Sequence, residues 1–173
     1  EIDFKQKFNQ KFYYPIDSQA NWKSFINTVL DALKEGGEMT AYDISNTDEL
    51  LVPITYNEII GRQTDTLYEV SRRPYPPYEE YDTLIITEFD PSQVMRLRIK
   101  EDWYFDRKHS TMGVRILGIA PMCESRDEEG EVRGYTPLFW IYFPEARNLL
   151  ADAPVLLRHT DKKNLSYDDL FIK

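Results

Sequence analysis

The feature that most constrains the fold is the segment Met112 to Met122, which is apolar on both faces and contains β-branched residues. A strand buried on both faces belongs in the middle of a sheet. Its neighbours supply the rest of that sheet. Met95, Leu97 and Ile99 alternate with Arg96, Arg98 and Lys100, and period two predicts a half-exposed strand with a basic outer face. Tyr135 to Phe143 is again apolar on both faces. The charged turn around Asp127 to Glu131 lies between these last two segments, so they are expected to form an antiparallel hairpin with a long connection. Thr83 to Phe89 is also rich in β-branched residues and ends at Asp90-Pro91, a turn signal.

Helical periodicity is concentrated earlier. Trp22, Phe25, Ile26, Val29, Leu30 and Leu33 make one apolar stripe. Ser18 is the expected N-cap and Gly36-Gly37 the stop. Phe4, Phe8 and Phe12 recur every four residues until Pro15 disfavours a helical residue before it. Met39 to Ile44 suits a short strand. Thr55-Tyr56-Asn57-Glu58 reads as a capping box opening a short helix that ends near Gly61. Pro144 is well placed to open another, and Ser166 to cap a last one. The expected class is α+β: an antiparallel sheet formed mainly by the second half, packed with an N-terminal amphipathic helix and short helices. One domain over 1–173 is expected, because 173 residues contain no internal repeat and no clear boundary.

The interval from Arg72 to Asp82, RRPYPPYEEYD, stands apart. Three prolines and three tyrosines favour an extended, polyproline-like loop. Such a loop either docks on a partner or lies rigidly across its own domain. Tyr75, Tyr78 and Tyr81 are its candidate partner contacts. Trp22, Trp103 and Trp140 each lie in an apolar pattern and are expected in the core.

Charge narrows the partners. A net charge of −9, with no basic run longer than Arg72-Arg73, disfavours nucleic acid and anionic membrane surfaces. No apolar run reaches the length of a membrane span. The signals for chemistry are sparse. Cys123 and His159 follow an order that some cysteine hydrolases use, without a supporting signature. Glu101 and Asp102 lie beside Trp103 and Tyr104, but adjacent acids on a strand face opposite ways and cannot alone make a glycosidase pair. His109 and His159 are far apart, no HExxH motif occurs, and the acidic turn lacks a calcium loop's alternating ligands. No glycine-rich phosphate loop is present.

Four ordered stretches resemble the GldN/PorN family of the type IX secretion and gliding apparatus. The first joins Glu1-Ile2-Asp3 to Lys11-Phe12-Tyr13-Tyr14-Pro15, with Ala41-Tyr42-Asp43 further on. The second runs from Ile99-Lys100-Glu101-Asp102-Trp103-Tyr104-Phe105-Asp106 into Val114 to Pro121. The others are Pro137 to Arg147 and Leu165 to Phe171. The resemblance implies the ordered core of a longer, secreted precursor. It further implies a non-enzymatic periplasmic ring component without a cofactor, held beneath the outer membrane by a GldK/PorK-type lipoprotein. The periplasmic part of a GldM/PorM-type protein is implied as a second partner. The alternatives are a periplasmic hydrolase using Cys123 or an acidic pair, and a peptide-binding adaptor using the Pro/Tyr loop.

Overall fold

The computed structural model describes residues 1–19, 22–34, 37, 39–44, 49–127, 129–156 and 165–172. In chain order the strands are β1 (Ile2–Asp3), β2 (Ala41–Tyr42), β3 (Pro53–Ile54), β4 (Asp65–Arg72), β5 (Glu80–Thr87), β6 (Val94–Asp106), β7 (Thr111–Arg126), β8 (Val132–Pro137) and β9 (Trp140–Tyr142). The helices are α1 (Gln10–Tyr13), α2 (Phe25–Leu33), α3 (Tyr56–Gln63), α4 (Phe143–Asp152) and α5 (Tyr167–Ile172). The class is α+β. The main sheet has the order β1-β6-β7-β9-β2-β3, with β8 also on β7, and every pairing in it is antiparallel.

The doubly apolar segment is central, as its pattern requires. β7 pairs with β6 on one edge and with β8 and β9 on the other. The apolar run Tyr135 to Phe143 is interrupted at Leu138–Phe139, so one expected strand becomes two. Both still pair with β7: Met122 opposes Pro137, and Ile119 opposes Ile141. The Leu138 N–H donates to the Pro121 carbonyl, 2.9 Å away, which holds the interruption against the sheet. A register shift between Val94 and Arg96 explains why the buried residues of β6 start three apart, at Val94 and Leu97.

Two cations of the basic outer face of β6, Arg96 and Arg98, are paired with acids of the chain's first residues. Asp3 lies 2.9 Å from Arg96, and Glu1 lies 3.5 Å from Arg96 and 3.6 Å from Arg98. The Arg96 guanidinium also stacks on Tyr135 at 3.8 Å. Glu1 and Asp3 of β1's edge segment thus offset the charge of two of the three cations that alternation assigns to this face.

The first long helix begins later than its stripe suggests. Gln19 and Trp22 form a bridge with two backbone hydrogen bonds, so the chain cannot already be helical from Ser18. Ser24, almost fully buried and extended at φ −65°, ψ 161°, is the N-cap of α2 and accepts from the Asn27 N–H at 3.3 Å. Trp22 lies outside the helix, half-buried. At the other end Gly36 lies outside the described residues. Gly37 donates its N–H to the Lys34 carbonyl at 2.7 Å, in a turn where a Cβ would collide with the Ala32 carbonyl.

The aromatic-rich termini close the core together. Phe12 stacks with Phe4 at 5.9 Å and lies 5.2 Å from Phe171, while Tyr167 meets Phe25 edge-on at 5.5 Å. Phe8, the middle member of the every-four series, is 79% exposed; α1 spans only Gln10–Tyr13, too short to carry that series on one face. The fully buried Tyr167 hydroxyl donates to the Lys23 carbonyl at 2.8 Å, and burial raises its pKa. That one bond links residues 144 apart in sequence. Arg147 of α4 and Asp168 of α5 form a two-point ion pair at 3.0 and 3.2 Å.

Three local readings are confirmed. Thr55 and Glu58 form the reciprocal capping box of α3, with the Thr55 N–H lowering the Glu58 pKa, and the helix runs past Gly61 to Gln63. Pro144 lies in the first turn of α4. Ser166 caps α5 reciprocally with Asp169.

Candidate interaction surface

The residues first considered for chemistry do not converge. Cys123 is buried, and its thiol is pushed up to about 12 by that burial, with Asp90 and Glu124 adding repulsion. A thiol so raised is protonated at neutral pH and a poor nucleophile. His159 lies outside the described residues. Glu101 accepts from the Trp103 indole N–H at 3.2 Å, while Asp102 pairs with Arg115 at 3.0 Å. The two acids are therefore engaged separately, on opposite faces of β6. The His109 ring lies 2.7 Å from Asp106, which holds that carboxyl below the usual range, helped by the backbone N–H groups of Lys108 and His109. Asp127 accepts from the N–H groups of Glu129 and Glu131, so it clamps its own turn. Glu128 lies outside the described residues. Among the described residues no three His, Cys, Asp or Glu side chains gather as metal ligands.

A shallow cleft of about 500 Å³ is lined by Lys5, Ser92, Gln93, Met95, Glu124 and Arg126. Its charges are already paired. Glu124 meets Lys5 at 2.8 Å and Arg126 at 2.6 Å, and the Lys5 contact is the main cause of its lowered pKa.

What the structure does present is bare apolar surface on two β-ribbons. The first is the outer half of the β6–β7 hairpin. Trp103 opposes Val114 and Phe105 opposes Met112, so all four share one face. They are 63%, 44%, 59% and 68% exposed. Trp103 was expected in the core, and here the structure corrects the sequence. The hairpin extends beyond the helices that cover its base, so the same strand pattern that buries Leu97 leaves Trp103 bare.

The opposite face of this arm is locked by its own contacts. Tyr104 opposes Gly113 and its ring occupies the space a Cβ on that glycine would take. Arg115 lies over the same ring at 5.6 Å and reaches Asp102. Tyr104, Arg115 and Asp102 therefore pack together on one face of the arm, and the apolar block stands exposed on the other.

The second ribbon is the β4–β5 hairpin, which pairs with no other strand among the described residues. The expected loop at 72–82 is shorter: Arg72 ends β4 and Glu80 begins β5. The β-branched run of β5 joins this separate ribbon rather than the main sheet. The strand pairing it, β4, escaped sequence reading, although Thr66, Tyr68 and Val70 alternate with Leu67, Glu69 and Ser71. Tyr68 opposes Leu84. With Val70 and Ile86 on the same face, they form an apolar block in which no member is less than 48% exposed.

The candidate tyrosines sit at and near this tip. Tyr75 is 76% exposed, and its carbonyl accepts from the Tyr78 N–H at 2.9 Å. Tyr78 has φ 55°, a left-handed conformation uncommon for a bulky residue, and Arg72 covers its ring at 5.2 Å while donating to its carbonyl at 3.1 Å. Tyr81 opposes Ser71, on the face away from Tyr68. Residues 73–79 are exposed throughout, so this segment does not lie buried across its own domain.

These features define a class: an α+β protein with one open antiparallel sheet, two bare ribbons, and no converging catalytic or metal-ligand set among the described residues. No described helix is long and apolar enough to cross a membrane. The sequence profile described as gliding motility associated protein GldN matches residues 1–173, and the chain belongs to that family. Its members are associated with gliding motility and type IX secretion, and it is not a known enzyme family. No curated protein matches the chain.

Proposed function

We propose that the protein is a non-enzymatic scaffold subunit of the type IX secretion apparatus, serving gliding in some species. It assembles in the periplasm into a ring complex with a GldK/PorK-type lipoprotein and also contacts the periplasmic part of a GldM/PorM-type protein. The lipoprotein holds it at the outer membrane. The observation that carries this reading is the bare aromatic surface on both ribbons. Apolar groups left in water on a two-stranded ribbon are stabilised when a partner covers them. Tyr75, Tyr78 and Tyr81 are the contacts proposed for the lipoprotein. Tyrosine brings a large apolar ring and a polar tip at small entropic cost.

Gel filtration with light scattering, on this chain mixed with the periplasmic domain of a candidate lipoprotein, tests the reading. A stable complex larger than either component is expected. Changing Tyr75, Tyr78 and Tyr81 together to Ala should weaken it about tenfold or more, as interfacial tyrosines commonly do. Two unchanged peaks at micromolar concentration would overturn the assigned partner. A full-strength complex from the triple variant would remove the tyrosines from the interface. The hydrolase alternative finds no support in Cys123, whose thiol is buried and protonated.

A further inference from the structure

We propose that copies of this chain associate head to tail, the apolar face of the β6–β7 arm of one copy packing on the apolar face of the β4–β5 hairpin of the next. The proposal deepens the scaffold reading and rests on it for its biological setting, but the contact itself needs no other protein.

Both faces are bare in the same chain, so neither covers the other within one copy. They also match in form. The arm presents Trp103 and Phe105 on one strand beside Val114 and Met112 on the other. The hairpin presents Tyr68 and Val70 beside Leu84 and Ile86. Each is a four-residue apolar patch on one face of a two-stranded ribbon: a two-by-two block on the arm, and on the hairpin a diagonal row, in which Tyr68 opposes Leu84 while Val70 pairs with Asp82 and Ile86 with Thr66. Ribbons of this kind pack face to face about 10 Å apart, with their side chains interdigitated.

Charge selects the pairing. Residues 65–87 carry Asp65, Glu69, Glu79, Glu80 and Asp82 against Arg72 and Arg73, a net −3. Glu80 and Asp82 continue the row of Leu84 and Ile86 on the same face, and both are exposed. Residues 100–115 of the arm carry Lys100, Arg107, Lys108 and Arg115 against Glu101, Asp102 and Asp106, a net +1, and Arg107 and Lys108 stand exposed together at its turn beside the Asp106–His109 pair. Hairpin against hairpin would bring net −3 against net −3. Arm against arm would bring two basic turns together. Arm against hairpin sets a basic turn against an acidic ribbon and buries both apolar blocks. Such a contact joins two different patches, so each added copy leaves a fresh arm and a fresh hairpin, and the assembly grows into a filament or closes as a ring.

Large aromatics bury roughly 150–250 Å² each, so four residues a side give a contact at the small end of specific interfaces, strengthened when many copies are held in one array.

The test is sedimentation velocity on the chain alone, up to about 200 μM, well above a micromolar Kd. The wild-type chain should form dimers and larger species as concentration rises. Its tryptophan emission should shift to the blue as Trp103 leaves water. An arm variant, Trp103→Ser with Phe105→Ser, and a hairpin variant, Tyr68→Ser with Leu84→Ser, should each associate about thirtyfold more weakly or worse. Their mixture should form a dimer and stop there, because only one intact arm and one intact hairpin remain. A second pair guards against loss of the ribbon itself: Arg107→Glu with Lys108→Glu should weaken association, and Glu80→Lys with Asp82→Lys should restore it in the mixture.

A wild-type chain that stays monomeric with unshifted emission overturns the proposal, and so does a mixture that forms no dimer. Binding to the proposed lipoprotein is measured on the same proteins. A monomeric chain that still binds the lipoprotein sinks this contact and leaves the scaffold reading standing. A chain that self-associates as described but binds no lipoprotein does the reverse.

Discussion

The two ends of the β6–β7 hairpin share one hydrogen-bonded ladder and have opposite fates. At the base, Leu97 and Ile119 are fully buried. A few residues outward, beyond the register shift at Lys100 and Glu101, Trp103 and Phe105 stand mostly in water. On β6 one period-two series runs through both ends, with Leu97 and Ile99 at the base and Trp103 and Phe105 further out on the same face. What differs is the cover. Side chains from α1, α2, α4 and α5 meet the base in one cluster, and nothing among the described residues meets the outer apolar face. Alternation therefore tells which side of a strand is apolar. It does not tell whether the layer that covers it comes from the same chain.

The sharpest way to break this comparison is to remove one tryptophan from each situation. Trp140, 2% exposed, should cost about 3–5 kcal/mol on substitution by Ala, whereas Trp103→Ala should stay within about 1 kcal/mol of the wild type. Urea unfolding measures both. Equal losses would mean that the arm is folded against the body in solution.

A smaller effect is expected at the bond that joins the chain's ends over the base. Tyr167→Phe keeps the ring and leaves the Lys23 carbonyl without its donor, at a cost of about 1–2 kcal/mol. Hydrogen exchange should speed up in α5 and in the segment before α2, and not in the arm. Faster exchange in the arm would show that the two ends are coupled after all.

Gly113→Val probes the arm's locked face. The new side chain must displace the Tyr104 ring, so near-ultraviolet circular dichroism should change while global stability falls by only about 1 kcal/mol. A loss as large as that of Trp140→Ala would contradict an arm that folds outside the core.

The smallest effect concerns acid. Glu124 lies near the base of β7, and its pKa is lowered chiefly by Lys5, with Arg126 adding to it. A carboxyl lowered on folding contributes stability above its ordinary pKa, and that contribution disappears as pH falls through the lowered value. The window therefore lies below about pH 4.5, the ordinary range for glutamate. Lys5 and Arg126 are both more than half exposed, so solvent limits the contribution to about 1 kcal/mol or less. Glu124→Gln should lower the urea midpoint slightly at pH 7 and much less at pH 3. An equal drop at both would assign the effect to shape rather than charge.

Much of the fold is readable in the chain. The central position of β7, the capping boxes of α3 and α5 and the proline that opens α4 all follow from short-range pattern, because their causes lie within a few residues. The misplacements have longer-range causes. Ser18 lost the N-cap to Ser24 because Gln19 and Trp22 bridge. The Pro/Tyr segment became a hairpin tip because β4 pairs with β5. The candidate surface was legible in part. Tyr75 and its neighbours are exposed as their proline-rich setting suggests. Trp103 alone among the arm's aromatics is expected in the core and is not there, since a tryptophan in an apolar strand looks the same whether or not a helix lies over it.

The sequence by itself determined the α+β class, the antiparallel sheet of the second half, the excess of acid and the membership in the GldN family. Only the tertiary structure decided which apolar strand faces are covered and which stand bare. Hydrogen bonding and side-chain alternation are set by neighbours along and across a strand. Burial is set by whatever layer the rest of the chain can supply, and here that layer ends before the β6–β7 hairpin does.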